Sequence, residues 1–180
     1  MKLLCMRHGQ TNYNIAALCN DDPAREVALT ATGRQQAEEA AQRLRDTDIE
    51  RIFVSELPRT RQTAEIVNRH HGVAIVTHSA LNDIRSGFDG QPVAMYQQAI
   101  AHDPLHASAN DGESLLEHGQ RVVGFIEWLR TQPDRTVLVV AHEETMRAFA
   151  VYLRELPAQA LVELAFANCE IVAFDLLPTN

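Results

Sequence analysis

Four short apolar runs punctuate the chain, at residues 3–6, 52–54, 73–76 and 137–141. None alternates with polar residues, which predicts strands covered on both faces, as in a parallel sheet. Between the runs, apolar positions recur at helical spacing. Thr32-Gly33-Arg34-Gln35 can form a capping box, and Ala37, Ala40, Ala41 and Leu44 then share one face. Ser114-Leu115-Leu116-Glu117 forms a second box, opening a helix whose apolar face is Leu115, Val122, Ile126 and Leu129. Helices are also predicted over residues 58–70 and 143–153, the latter with Met146, Phe149, Ala150 and Leu153 inward. Residues 170–176 read as a last strand, at an edge. Strands that alternate with helices predict an α/β fold with a mostly parallel central sheet.

Length and composition narrow the picture. A chain of 180 residues suits one domain, and a domain of that size buries roughly 70% of its unfolded surface. No repeat or linker interrupts residues 1–180, so we expect a single domain in which the polar stretch 86–112, with Phe88 and Tyr96, is an insertion that sets substrate specificity. Hydrophobic residues make up 46% and no apolar run could span a bilayer, so no membrane association is expected. One Lys and four apolar residues precede Arg7, too few for a secretory signal, and the expected location is the cytoplasm. Cys5, Cys19 and Cys169 show no metal or disulfide spacing and read as reduced, buried thiols. A formal charge of −8 argues against nucleic-acid binding.

The polar groups that follow the apolar runs carry the chemistry. In open α/β sheets, ligands bind outside the carboxyl ends of the strands. Arg7-His8 follows the first run, Ser55-Glu56-Leu57-Pro58-Arg59 the second, Asp83 lies shortly after the third, and His142-Glu143-Glu144 follows 137–141. Arginine grips phosphate oxygens bidentately, a neutral imidazole can attack phosphorus, and a carboxylic acid can protonate the leaving oxygen. His102 and His106 have metal-like spacing, but Pro104 breaks the helix that such a pair needs. His142-Glu143-Glu144-Thr145-Met146 begins like a zinc-protease helix, yet Met146 stands where the second His would be.

The string Leu4-Cys5-Met6-Arg7-His8-Gly9-Gln10-Thr11-Asn12-Tyr13-Asn14 resembles the motif of the histidine phosphatase superfamily, which includes phosphoglycerate mutases. The resemblance continues through Leu29-Thr30-Ala31-Thr32-Gly33, Ser55 to Ala64, Gly112-Glu113-Ser114 and Val140-Ala141-His142. It implies a three-layer α/β/α sandwich of phosphoglycerate mutase type. It also implies a phosphomonoesterase that works through phospho-His8, with Arg7 and Arg59 gripping the phosphate and His142 stabilising the transferring group. Asn14, with Thr11 and Gln10 of the same string, would line the substrate pocket. No metal or organic cofactor is implied; the partner would be a small phosphorylated substrate. Relatives often pair through sheet edges, which allows a homodimer.

Two positions depart from the family pattern. Where its phosphatases commonly carry Glu in a Leu-x-Glu segment, this chain has Leu81-Asn82-Asp83, making Asp83 the expected general acid, with Asp89, Glu113, Glu143 and Glu144 as substitutes. Arg85, close by, is an expected substrate contact. Glu143-Glu144 stand where small glycines often follow the His; so near a phosphate they must point away or meet hydroxyl or cationic parts of the substrate. A small-metabolite phosphatase is the reading these residues favour. A mutase, a phosphohistidine-protein phosphatase and a noncatalytic phosphate-binding protein remain its alternatives.

Overall fold

The computed structural model describes residues 1–177. In chain order the elements are β1 (Lys2–Arg7), α1 (Asn12–Ala16), α2 (Ala31–Leu44), β2 (Arg51–Val54), α3 (Pro58–Val67), β3 (Ala74–Thr77), α4 (Val93–Ile100), α5 (Leu115–Arg130), β4 (Thr136–Ala141), α6 (Glu143–Leu153), α7 (Ala160–Glu163) and β5 (Ile171–Asp175). One sheet runs β3-β2-β4-β1-β5, parallel throughout except for β5, which pairs antiparallel to β1 at the edge.

Successive strand residues face opposite sides, so continuous apolar runs feed two cores. Leu3, Cys5, Phe53, Val137 and Val139 pack with Phe125, Ile126 and Leu129 of α5 and Met146 and Phe149 of α6. Leu4, Met6, Ile52, Val54, Leu138 and Val140 pack with Ala37, Ala40 and Ala41 of α2 and Ala64 and Val67 of α3. This is the three-layer α/β/α arrangement, with all three cysteines free and buried. Among the described residues, no helix is long and apolar enough to cross a membrane.

Three local expectations need correction. The run 73–76 is not covered on both faces: β3 lies at an edge and its residues are half-buried or exposed. Helix 58–70 ends as an α-helix at Val67 and closes in a 3₁₀ turn over Asn68–His70, because the Asn68 side chain bonds both backbone groups of Val73 at 2.9 Å and bends the chain away. The capping residue of α2 is Thr30, whose Oγ accepts from Gly33 N at 2.9 Å, not Thr32. The earlier start sets Gly33 against the loop after β1, where a Cβ would sit 2.0 Å from Gln10 O. The Ser114–Glu117 capping box forms as expected. Leu153 is only half-buried at the end of α6.

Candidate active site

His8 takes its position from backbone pairing at the ends of two neighbouring strands. Its N–H donates to Ala141 O at 3.0 Å, joining the ends of β1 and β4, and its carbonyl accepts from Asn168 Nδ2 at 2.9 Å. The following loop is pressed against α2 by two glycines: a Cβ on Gly9 would lie 2.4 Å from Gly33 O. Gly9 N also donates to Thr63 Oγ1 at 3.1 Å, and Thr63 in turn donates to Arg59 O at 2.8 Å, fastening α3 to the same loop.

The imidazole of His8 has defined roles for its two nitrogens. Nδ1 lies 2.7 Å from Gly9 O, which can only accept, so the ring proton is assigned to Nδ1. Nε2 then accepts from Arg59 Nε at 3.0 Å. Burial pushes the His8 pKa well below its ordinary 6.5, and the charges of Arg59, His142 and Arg7 push it the same way, outweighing the Gly9 hydrogen bond. The ring is therefore neutral at neutral pH, with its lone pair on Nε2.

Arg59, 4% exposed, distributes its remaining donors over two residues. Nη1 donates to Asn20 Oδ1, while Nη2 donates to Asn20 O at 3.1 Å and to Asp83 Oδ2 at 2.7 Å. His142 is buried with its ring centre 5.4 Å from that of His8. Its Nε2 lies 2.9 Å from Ser55 Oγ; its Nδ1 is buried, without a hydrogen bond among the described residues, and 3.5 Å from Asp83 Oδ2. Burial, followed by the charge of Arg59, also lowers the His142 pKa well below 6.5. Arg7 donates from Nη1 to Phe166 O at 2.6 Å and to Glu143 at 2.7 Å, and its buried Nε has no partner among the described residues. An unpaired buried donor is costly, so Arg7 Nε, with the unpaired His142 Nδ1 in the tautomer that protonates it, fits a site made to receive acceptor oxygens.

Of the residues expected at the site, Arg7, His8, Thr11, Asn14, Arg59 and Asp83 line one cavity of about 630 Å³. His142 sits behind its wall, against Asp83. Thr11 and Asn14 also cap α1 reciprocally. Two expected contacts lie elsewhere. Gln10 turns its carboxamide to Thr30, from whose hydroxyl it accepts at 2.9 Å. Arg85 is 68% exposed and swings toward Glu113 at 3.6 Å, leaving the cavity wall. The two glutamates after His142 divide: Glu143 bridges Arg7 and Arg147 at 2.7 Å each, whereas Glu144 faces the cavity. Burial, then the charge of Asp83, raises the Glu144 pKa to about 7. Asp89 ties down residues 20–22 and Arg25, away from the chemistry.

Several residues at or beside the site carried no usable signal in the sequence. Asn20 lies in a stretch without regular structure, and only the fold brings it to Arg59. Tyr96, Ile100 and Pro104 also line the cavity; they belong to the 86–112 stretch expected to set substrate specificity, in which Tyr96 is a candidate by type. Behind Asp83 is a buried cluster of Glu113, His118 and Arg121. Arg121 pairs with Glu113, bonds His118 Nδ1 at 2.8 Å, and donates to the carbonyls of Ala80, Asn82 and Asp83 at 2.9, 3.1 and 3.3 Å. Burial alone would raise the Glu113 pKa; hydrogen bonds from His118 and Arg121 outweigh it and hold the carboxyl at about 2. Capping-box spacing at Ser114 marked the helix start, but nothing in the spacing revealed this cluster.

A neutral imidazole lone pair beside a buried guanidinium, with a carboxylate within reach of both Arg59 and His142, can accept and release a phosphoryl group. Comparison with known proteins agrees. The family model of the histidine phosphatase superfamily (branch 1) matches residues 3–179. The chain is 28% identical to a protein of Erwinia tasmaniensis named probable phosphoglycerate mutase GpmB, over 97% of this chain and 85% of that protein. Among solved structures, the alpha-ribazole phosphatase of Shigella flexneri superposes with a TM-score of 0.87 at 26% identity, over 97% of this chain and 90% of that one. A mycobacterial glucosyl-3-phosphoglycerate phosphatase complexed with VO3 gives 0.79 at 26% identity, over 96% and 90%. The chain belongs to branch 1 of the histidine phosphatase superfamily and is an enzyme of phosphatase or mutase type.

Proposed function

We propose that this enzyme hydrolyses the phosphate monoester of a small metabolite through a phosphohistidine at His8, with no metal ion in the chemistry. One observation carries the reading: the Nε2 lone pair of a neutral, buried His8 lies on the cavity wall 3.0 Å from the Arg59 guanidinium. On binding, phosphoryl oxygens take over the Arg59 donors now directed at His8 Nε2 and at Asp83, which frees the Nε2 lone pair, and meet Arg7 and the unpaired Nδ1 of His142 in the tautomer that carries its proton there. Asp83, released beside an anion, takes up a proton from solvent. Nε2 attacks phosphorus; the P–N bond forms as the P–O bond to the alcohol breaks, and Asp83 passes its proton to the departing oxygen. In the second half, the Asp83 carboxylate removes a proton from water, whose oxygen displaces Nε2 and yields inorganic phosphate. Charge spread over the equatorial oxygens is met by fixed cationic donors, the largest contribution in reactions of this kind.

The names of the Shigella and mycobacterial neighbours support hydrolysis. The name of the Erwinia relative supports a second reading, transfer of the phosphoryl group between hydroxyls of one substrate. Phosphate release from a panel of monoesters in EDTA separates them. The wild type is expected to release free phosphate and to trap an acid-labile phosphoenzyme, both abolished by His8→Ala. Isomerised ester without free phosphate would establish the mutase instead, and release retained by His8→Ala would remove the phosphohistidine.

A further inference from the structure

Beyond the phosphate end, the cavity has a wall unlike that of an anion site. Leu18, Val27, Val93, Ile100, Leu115 and Val162 give it apolar surface, to which Tyr13, Tyr96 and Gln97 add neutral polar groups, and about 630 Å³ is room for an aromatic or branched alcohol. Its charges are three arginines, Arg7, Arg59 and Arg147, against three carboxylates, Asp83, Glu143 and Glu144. Arg7 and Arg59 stand beside His8. Arg147 is engaged by Glu143 at 2.7 Å and its Nη1 points to Leu161 O at 3.4 Å. Glu144 has neither an ion-pair partner nor a side-chain hydrogen bond among the described residues, and it faces the space where a leaving group would lie. A second phosphate or a carboxylate on the substrate would find there only Arg147, whose Nε is unpaired among the described residues but whose charge is already shared with Glu143, and would meet Glu144.

From this we infer that the substrate is the monophosphate of a largely apolar alcohol with a single anionic group, whose hydroxyl or cationic nitrogen is received by Glu144. The inference rests on the phosphatase reading and deepens it: phosphoglycerates and bisphosphates, which carry a second anion, are excluded as good substrates. An uncompensated like charge beside the carboxylate is disfavoured, whereas a neutral or cationic donor facing it completes it. The carboxylate acts as a selector of the leaving group, not as a ligand of the phosphate.

Matched esters test it. Benzyl phosphate, 4-(aminomethyl)benzyl phosphate, 4-carboxybenzyl phosphate and 3-phosphoglycerate are compared by kcat/KM at pH 8, where Glu144 is ionised, with the wild type and Glu144→Gln. The corresponding benzylphosphonates are compared by Kd with His8→Ala, which needs no turnover. The wild type is expected to favour the neutral and cationic esters over both carboxylates by about tenfold or more. Glu144→Gln should narrow that gap by lowering the aminomethyl ester and raising the carboxybenzyl one. Equal turnover of neutral and carboxylate esters by the wild type, or a preference untouched by Glu144→Gln, would overturn the inference while leaving the phosphatase intact. Selective phosphonate binding with no ester hydrolysed would instead overturn the catalytic reading.

Discussion

Asp83 occupies the donors that a phosphate needs. Its Oδ2 is 2.7 Å from Arg59 Nη2 and 3.5 Å from His142 Nδ1, so carboxylate and phosphoryl oxygens compete for the same groups. Removing the charge should thus separate binding from chemistry. Asp83→Asn is expected to lower kcat by about 10²–10⁴-fold, the range for loss of a general acid, and at the same time to tighten inhibition by inorganic phosphate. Steady-state kinetics with phosphate as a competitive inhibitor checks both; an unchanged kcat would show that Asp83 carries no proton. The residue was legible because it stands shortly after a predicted strand, as Arg7, His8 and Arg59 also follow theirs. Arg85, two positions on, was misread for a reason sequence spacing cannot supply: its backbone N–H donates to the buried Glu113 at 3.1 Å, while its side chain is 68% exposed and reaches that carboxylate only at 3.6 Å, off the cavity wall.

At the scale of elements, what was legible followed from periodicity, and what was missed came from contacts between distant segments. Continuous apolar runs gave the central strands because both faces of β1, β2 and β4 are covered. The same rule overstated β3, since an edge position is not written in the run itself. Thr32 looked like the start of α2 by its spacing, but packing of Gly33 on Gln10 requires the helix to begin at Ala31. The segment bearing Asp83 is held by α5 through Arg121, whose three bonds to carbonyls of residues 80–83 position the carboxylate without touching substrate. Arg121→Met should leave the buried Glu113 only the more distant, exposed Arg85 as a cation, lowering the urea midpoint, and should lower kcat by up to about 10²-fold through displacement of Asp83. The double variant with Asp83→Asn distinguishes positioning from general weakening. Once Asp83 is gone, loss of Arg121 should lower kcat no further. Independent, multiplying losses would mean that Arg121 serves stability alone.

For the whole molecule, the buried histidines of the site set how stability responds to acid. Burial lowers the pKa values of His8, His118 and His142 from 6.5, and His71 and His78 move in the same direction. As pH falls through 6.5, the unfolded chain protonates these rings while the folded chain keeps them neutral, so the unfolded state binds more protons and folding stability declines. Glu144 acts with the opposite sign. Its folded pKa of about 7 lies above the 4.5 of the free group, so between these values the folded state takes up a proton the unfolded state does not, and stability rises as pH falls. Three fully buried rings act in the one direction and a single carboxyl in the other, so as pH falls below 6.5 the balance of proton uptake favours the unfolded chain. Urea midpoints at pH 7.5, 6.0 and 5.0 are expected to fall in that order at constant m-value. In Glu144→Gln the compensating proton is absent, so the decline should steepen by about one proton, starting from a higher stability above pH 7, where wild-type Glu144 must be ionised in its buried position. A wild-type midpoint flat across this range would mean that the folded and unfolded chains take up protons alike, so that burial does not hold the histidines of the site neutral in acid.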